Sequence, residues 1–244
     1  MELKIQKWNS ESYFEFSEYL KSFSDSEYKD FHSRLLPDYP KEKILGVRLP
    51  KMREIAREIS KGSPLSFLSV CKSDYYEEIM IRGIVTGLVK CKSFDEFSSL
   101  VDSFVGLIDN WAVNDSFCSS LKQTKKFLPE FFEHLSIYLK SENPWHIRFA
   151  VVMMMTYYLD DTYIDKVLKR TDSIKSEHYY VKMAQAWLVA TALAKQCDKT
   201  LLYLDNSKLD DWTFNKAILK ARESYRIDKR LKETLNQMKR KNLY

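Results

Sequence analysis

An all-helical fold, an α-α superhelix built from stacked helix pairs, is predicted by three features of the sequence. Five glycines and six prolines in 244 residues are too few to turn a sandwich or barrel. Long stretches rich in Leu, Lys, Glu and Ala are broken only at short polar joints. An aromatic also recurs at Tyr76, Trp111, Trp145, Tyr180 and Phe214, with spacings of 35, 34, 35 and 34 residues.

The first 70 residues are less regular and read as an N-terminal helical cap, with helices over Ser10 to Phe23, Glu27 to Leu36 and Lys51 to Ser60 and a loop from Pro37 to Leu49. Pro50 suits the first turn of the third of these and Gly62 its end. From residue 71 to about 225 the aromatic opens a helix in each repeat: Ile79 to Val89, Val113 to Leu121, Ile147 to Leu159, Met183 to Ala194, and Ala217 onward. Asp74, Asp109, Asn143 and Asp161 stand where N-caps are expected. Second helices fall between them, over Phe94 to Leu107, Phe127 to Leu139, Tyr163 to Ile174 and Leu201 to Leu209. Neither helix of such a pair can bury its apolar stripe alone, so successive pairs stack, and one column of helices lines an inner surface. Tetratricopeptide repeats share the period, but their Trp-Leu-Gly-Tyr pattern does not fit; HEAT-like pairs do. The whole chain, 1–244, reads as one domain, closed by a basic helix or tail over 226–244.

No run of eighteen apolar residues occurs and the N-terminus has no apolar leader, so a cytoplasmic protein is expected. Cys71, Cys91, Cys118 and Cys197 match no disulfide or zinc spacing and read as buried thiols. His32, His134, His146 and His178 show no ligand pattern, so neither metal nor cofactor is expected. The formal charge is +5, and its distribution matters more than its size. Lys122, Lys125 and Lys126 cluster, as do Lys216, Lys220 and Arg222. Arg226, Lys229, Arg230, Lys232, Lys239, Arg240 and Lys241 make the C-terminal segment basic. Each cluster alone is equally a solvated face, and the last equally a frayed tail.

Residues that depart from their column are the candidates for function. Asp115, four positions after Trp111, stands where other repeats carry Met80, Phe149, Ala184 and Ile218, and the spacing puts it on the indole's face of the helix. Arg148 is the only cation in its column, inside an apolar helix where a charge needs a partner. Trp187 is the bulky member of a column otherwise holding Gly83, Cys118 and Val152. A structural reading is open too: Asp115 bridging to Arg148 between repeats, with the tryptophans as core. Trp8, Trp145 and Trp212 read as packing residues.

The run Ile44-Leu45-Gly46-Val47-Arg48-Leu49-Pro50 followed by Met52 to Ala56, the run Asp109 to Phe117, Trp145 to Val152 and Val181 to Trp187 together resemble the AlkD-like DNA alkylation repair family, over about residues 12 to 225. The resemblance implies HEAT-like repeats that grip duplex DNA and a glycosylase that excises cationic alkylated purines such as 3-methyladenine and 7-methylguanine. Its catalytic set falls on Asp115, Trp111 and Trp187, with Arg148 nearby. Arg148, Lys182, Lys216 and Lys220 are the expected DNA contacts, and the expected partner is duplex DNA bound by a monomer. The resemblance further implies that the lesion stays stacked while the enzyme works on backbone and sugar. Two other readings stand beside it: a non-catalytic binder of unusual DNA structures, and a helical-repeat scaffold for a protein partner.

Overall fold

In the computed structural model, which describes residues 1–240, fourteen α-helices and two 3-10 turns carry the chain, and no strand occurs among the described residues. The all-α expectation therefore holds. The chain falls into two compact units, Met1–Phe127 and Leu128–Tyr244, so the division lies inside the repeat region. Lys241, counted with the basic C-terminal segment, lies outside the described residues.

The first unit contains α1 (Ser10–Lys21), α2 (Ser26–Leu35), α3 (Leu49–Ser60), α4 (Pro64–Val70), α5 (Tyr76–Leu88), α6 (Phe94–Val105) and α7 (Trp111–Ser120). α3, α5 and α7 lie side by side as one layer. Gly87 permits the closest approach, since a Cβ there would come within 2.7 Å of the Ser120 carbonyl oxygen, and at Gly83 it would meet the Phe104 ring at 2.6 Å. The short α4 has no counterpart in the sequence pattern. Seven residues are too few to show a period, and the helix is held by Phe67, whose ring packs edge-on against Trp8 and Phe16 at 5.0 and 5.2 Å. Trp8 is buried here, as a packing residue should be.

The second unit contains α8 (Leu128–Leu139), α9 (Pro144–Tyr157), α10 (Ile164–Ser173), α11 (Tyr179–Lys195), α12 (Cys197–Asp205), α13 (Asp211–Glu223) and α14 (Lys229–Gln237). α11 is apolar nearly all round because α9 packs on one side of it and α13 on the other. As far as Arg240 the C-terminal segment is no frayed tail. Arg240 stacks over Phe214 with its guanidinium carbon 4.1 Å from the ring centroid, donates to the Ser207 carbonyl at 2.7 Å, and exchanges backbone bonds with the Asn215 side chain. Trp212 corrects the packing expectation. It is 40% exposed, on the rim of the unit beside Tyr179.

Caps set the helix starts. Asn9, Asp25, Ser93, Asp210 and Asp228 each accept a backbone N–H from the first turn they precede, as N-caps do. Of the four caps expected in the repeats only Asn143 serves. Asn110 replaces Asp109. α10 has no side-chain cap, and Asp160 instead accepts the N–H groups of Thr162 and Tyr163 in the turn before it. Before α5 the Glu78 carboxylate reaches back to the backbone N–H groups of Asp74 and Tyr75 at 2.8 and 3.2 Å.

The Ile44-to-Pro50 run owes its form to a buried acid. Glu77 on α5 is 1% exposed, and its carboxylate accepts three backbone N–H groups, from Leu45 at 2.9 Å, Gly46 at 2.7 Å and Val47 at 3.1 Å. Burial pushes the Glu77 carboxyl above its ordinary pKa, and the three donors pull the other way. Gly46 takes a left-handed φ of 92°, and a Cβ there would stand 2.3 Å from the Asp25 carbonyl oxygen. The loop is thereby clamped between α2 and α5.

His32 adds a pH dependence to this unit. It is buried between Tyr28 and Tyr76, its Nε2 has no partner, and burial lowers its pKa. A depressed histidine contributes stability above its unfolded pKa of roughly 6.5 and loses it as pH falls through the folded value. Thermal unfolding should therefore come earlier at pH 5.5 than at pH 7.5, with a smaller drop in His32→Phe. An equal drop in both proteins would remove His32 from the explanation.

Candidate functional site

α7 begins where Asn110 accepts the Val113 N–H at 3.0 Å, which leaves Trp111 as its first residue. The indole Nε1 donates to the carbonyl of Leu35, the last residue of α2, at 3.1 Å, so the ring is held against the end of that helix. One turn on, about 6 Å of helix rise, stands Asp115, half-buried. One carboxylate oxygen accepts from the side-chain amide of Asn114 at 2.9 Å. Asn114 is fully buried and its own Oδ1 has no hydrogen-bond partner. Leaving a buried acceptor unmade costs about 1–3 kcal/mol, a cost borne where the amide's donor end is turned to the carboxylate. Asn114 is thus a positioning residue, visible in the sequence only as a departure from its column.

The second unit carries the other half of the sequence-derived set. Trp187 on α11 is 39% exposed and borders an open groove of about 550 Å³. Met155 and Thr156 at the end of α9 form one side, Thr191 continues the Trp187 face, and Lys195, Lys220 and Arg226 bring positive charge, with Glu223 among them. Of the lysines expected to meet DNA, Lys220 lies in this groove. Nothing in the sequence marks Lys195 and Arg226 for it, because only the packing of α11 against α13 brings them to the indole.

Arg148 is 4% exposed and donates from one guanidinium nitrogen to the Tyr180 carbonyl at 2.8 Å, with the guanidinium 6.0 Å from the Tyr180 ring centroid. A side chain so enclosed positions the start of α11, and the expected phosphate contact finds no support in its burial. Lys182 is likewise occupied, paired with Asp210 at 3.0 Å and Glu177 at 3.3 Å. Burial would lower its pKa, but the Asp210 and Glu177 carboxylates raise it above the ordinary value. Lys216 sits with its ammonium 5.9 Å from the Trp212 ring centroid. Among the described residues no three His, Cys, Asp or Glu side chains gather as metal ligands do, and no helix is long and apolar enough to cross a membrane.

No individual curated protein matches the chain. The family model described as DNA alkylation repair enzyme matches residues 16–221, a span that contains Trp111, Asp115, Arg148 and Trp187, and the chain belongs to that family.

Proposed function

We propose that the protein is a DNA glycosylase of base excision repair that hydrolyses the N-glycosidic bond of cationic alkylated purines, 3-methyladenine and 7-methylguanine, in duplex DNA. The observation that carries the proposal is the pairing of Trp111 and Asp115 on one face of α7, with the carboxylate tethered by buried Asn114, in a chain of the DNA alkylation repair family.

A purine methylated at N3 or N7 already bears positive charge, so it departs as a neutral base when the bond to C1′ breaks and takes the electron pair. No enzyme acid is needed for that departure. Positive charge moves instead to C1′ and the ring oxygen, the oxocarbenium-like state that glycosidases also stabilise. Asp115 faces this charge and orients the water whose oxygen bonds to C1′ as the water gives up one proton, which passes by way of the carboxylate to solvent. Its carboxylate is fixed beforehand, which costs no reorganisation at the moment of reaction. The Trp111 face attracts the cationic sugar by about 0.5–2 kcal/mol, and the Trp187 face on α11 attracts a cation brought to it by a similar amount. Lys195, Lys220 and Arg226 around Trp187 hold backbone phosphates, which set register without reading sequence.

The test is release of free base from duplex DNA containing 7-methylguanine. Wild-type protein in excess should release it in a single turnover, while Trp111→Ala and Trp187→Ala should each slow release by roughly 2- to 30-fold. A protein that binds the duplex and releases no base would be a non-catalytic binder, and the glycosylase reading would be lost.

A further inference from the structure

The first unit holds a second charged feature that the site above does not use. At the C-terminal ends of α5 and α7 lies a cleft of about 730 Å³, lined by five cations, Arg53, Arg57, Lys90, Lys122 and Lys126, with no carboxylate among its walls. All five are exposed, and none makes a salt bridge among the described residues.

The cleft is built by the fold. Gly87 lets the end of α7 settle onto α5. The 3-10 turn Lys122–Lys126 is then stapled across the end of α5 by Gln123, whose Oε1 accepts the Cys91 N–H at 2.9 Å and whose Nε2 donates to the Val89 carbonyl. This brings Lys122 and Lys126 to the cleft that Lys90 also lines, while Arg53 and Arg57, a turn apart on α3, line it too. Helix dipoles favour cations near helix C-termini, which accounts for Lys90 and Lys122 just past α5 and α7. It does not account for Arg53, in the first half of α3, nor for convergence without an acid.

The remaining polar groups exclude a small nucleotide or sugar. Ser119 and Ser120 both donate their hydroxyls to the Ser116 carbonyl, at 2.8 Å each, and the Gln123 amide is spent on backbone. No aromatic ring lines the walls to stack a base. What is left is charge alone, which binds phosphate without regard to sequence. Ser119 also continues the Trp111 and Asp115 face of α7 by one further turn, so the cleft lies on the same helix face as the carboxylate.

We propose that this cleft holds consecutive backbone phosphates of the duplex whose damaged sugar meets Asp115, so that it anchors DNA binding and leaves the chemistry to the carboxylate. The proposal rests on the glycosylase reading, and the experiment separates the two. Affinity for an undamaged labelled duplex is measured by fluorescence anisotropy over a salt series, for wild type, for the triple variant Arg57→Gln/Lys122→Gln/Lys126→Gln, and for a control triple, Lys140→Gln/Lys166→Gln/Lys169→Gln, that removes equal charge elsewhere. Circular dichroism melting verifies that each is folded.

The cleft triple should bind at least about tenfold more weakly near 0.1 M salt. Its log–log salt slope should be shallower by about 2 to 3, since each phosphate that the protein no longer neutralises removes about 0.9 from the slope. The control should change far less. Release of 7-methylguanine at subsaturating protein should fall in the cleft triple in step with its weaker binding. Unaltered affinity and slope in the cleft triple, or equal weakening by both triples, would overturn the proposal. Base release that persists alongside either result removes only the cleft. Cleft-dependent binding by a wild type that releases no base removes only the glycosylase reading.

Discussion

Asp115→Asn should lower single-turnover release of 7-methylguanine about a thousandfold while leaving duplex affinity and thermal stability close to wild type. The substitution keeps shape and one carbonyl oxygen, so the Asn114 amide can still donate to position 115 as it does at 2.9 Å in the native protein. Only the negative charge is removed. Between unit charges about 4 Å apart at an effective dielectric near 20, the attraction is about 4 kcal/mol. If it acts on the sugar cation and not on the ground state, each 1.36 kcal/mol is about tenfold in rate, which gives the thousandfold figure. Equal release rates for the two proteins would take Asp115 out of the mechanism. A loss of folding in the variant would show in the melting curve and separate a structural role from a chemical one. Asn114→Ala supplies a graded companion: the carboxylate stays but loses its tether, and release should slow by less than in Asp115→Asn.

Glu77→Ala should produce the largest loss of stability. It strips the acceptors from three backbone N–H groups, those of Leu45, Gly46 and Val47, in a site only 1% exposed. Buried donors left unmade cost about 1–3 kcal/mol each, so the total is on the order of 3 kcal/mol or more. For a chain of this size that is a fall in melting temperature of roughly 6–12 °C. Glu77→Gln keeps one acceptor oxygen but turns an NH₂ toward a donor, and should fall between. Amide hydrogen exchange offers a local check, because Leu45 to Val47 should lose protection before the rest of the unit does. A denaturation midpoint unchanged in Glu77→Ala would mean that the loop is held by Gly46 and its packing on α2 instead.

Much of the architecture was legible along the chain. The aromatic column from Tyr76 to Phe214 marks the repeat because each aromatic opens its helix, and a helix with its neighbours four residues away is a local event. Pro50 and Pro144 fall in the first turns of α3 and α9 for the same reason. Cap assignment slipped by one residue at Asp109, because adjacent Asp and Asn residues are equally good acceptors and the backbone chooses between them. α4 left no periodic trace in seven residues.

Charge and exposure were legible only in part. Trp8 and Trp212 are the same residue type, yet one is buried under Phe67, 59 positions away, and the other lies on a rim. Lys182 reads as a free cation until Asp210, 28 positions on, is packed against it. Lys195 and Arg226 come to the Trp187 groove only once α11 and α13 meet. The helices, their repeat and the placing of Trp111 and Asp115 on one helix face follow from residue order alone, because those relations span a turn or two of backbone. Which charges are spent in ion pairs, which indoles meet solvent and which cations share a cleft were settled by long-range packing, since each depends on partners tens of residues away that no local pattern records.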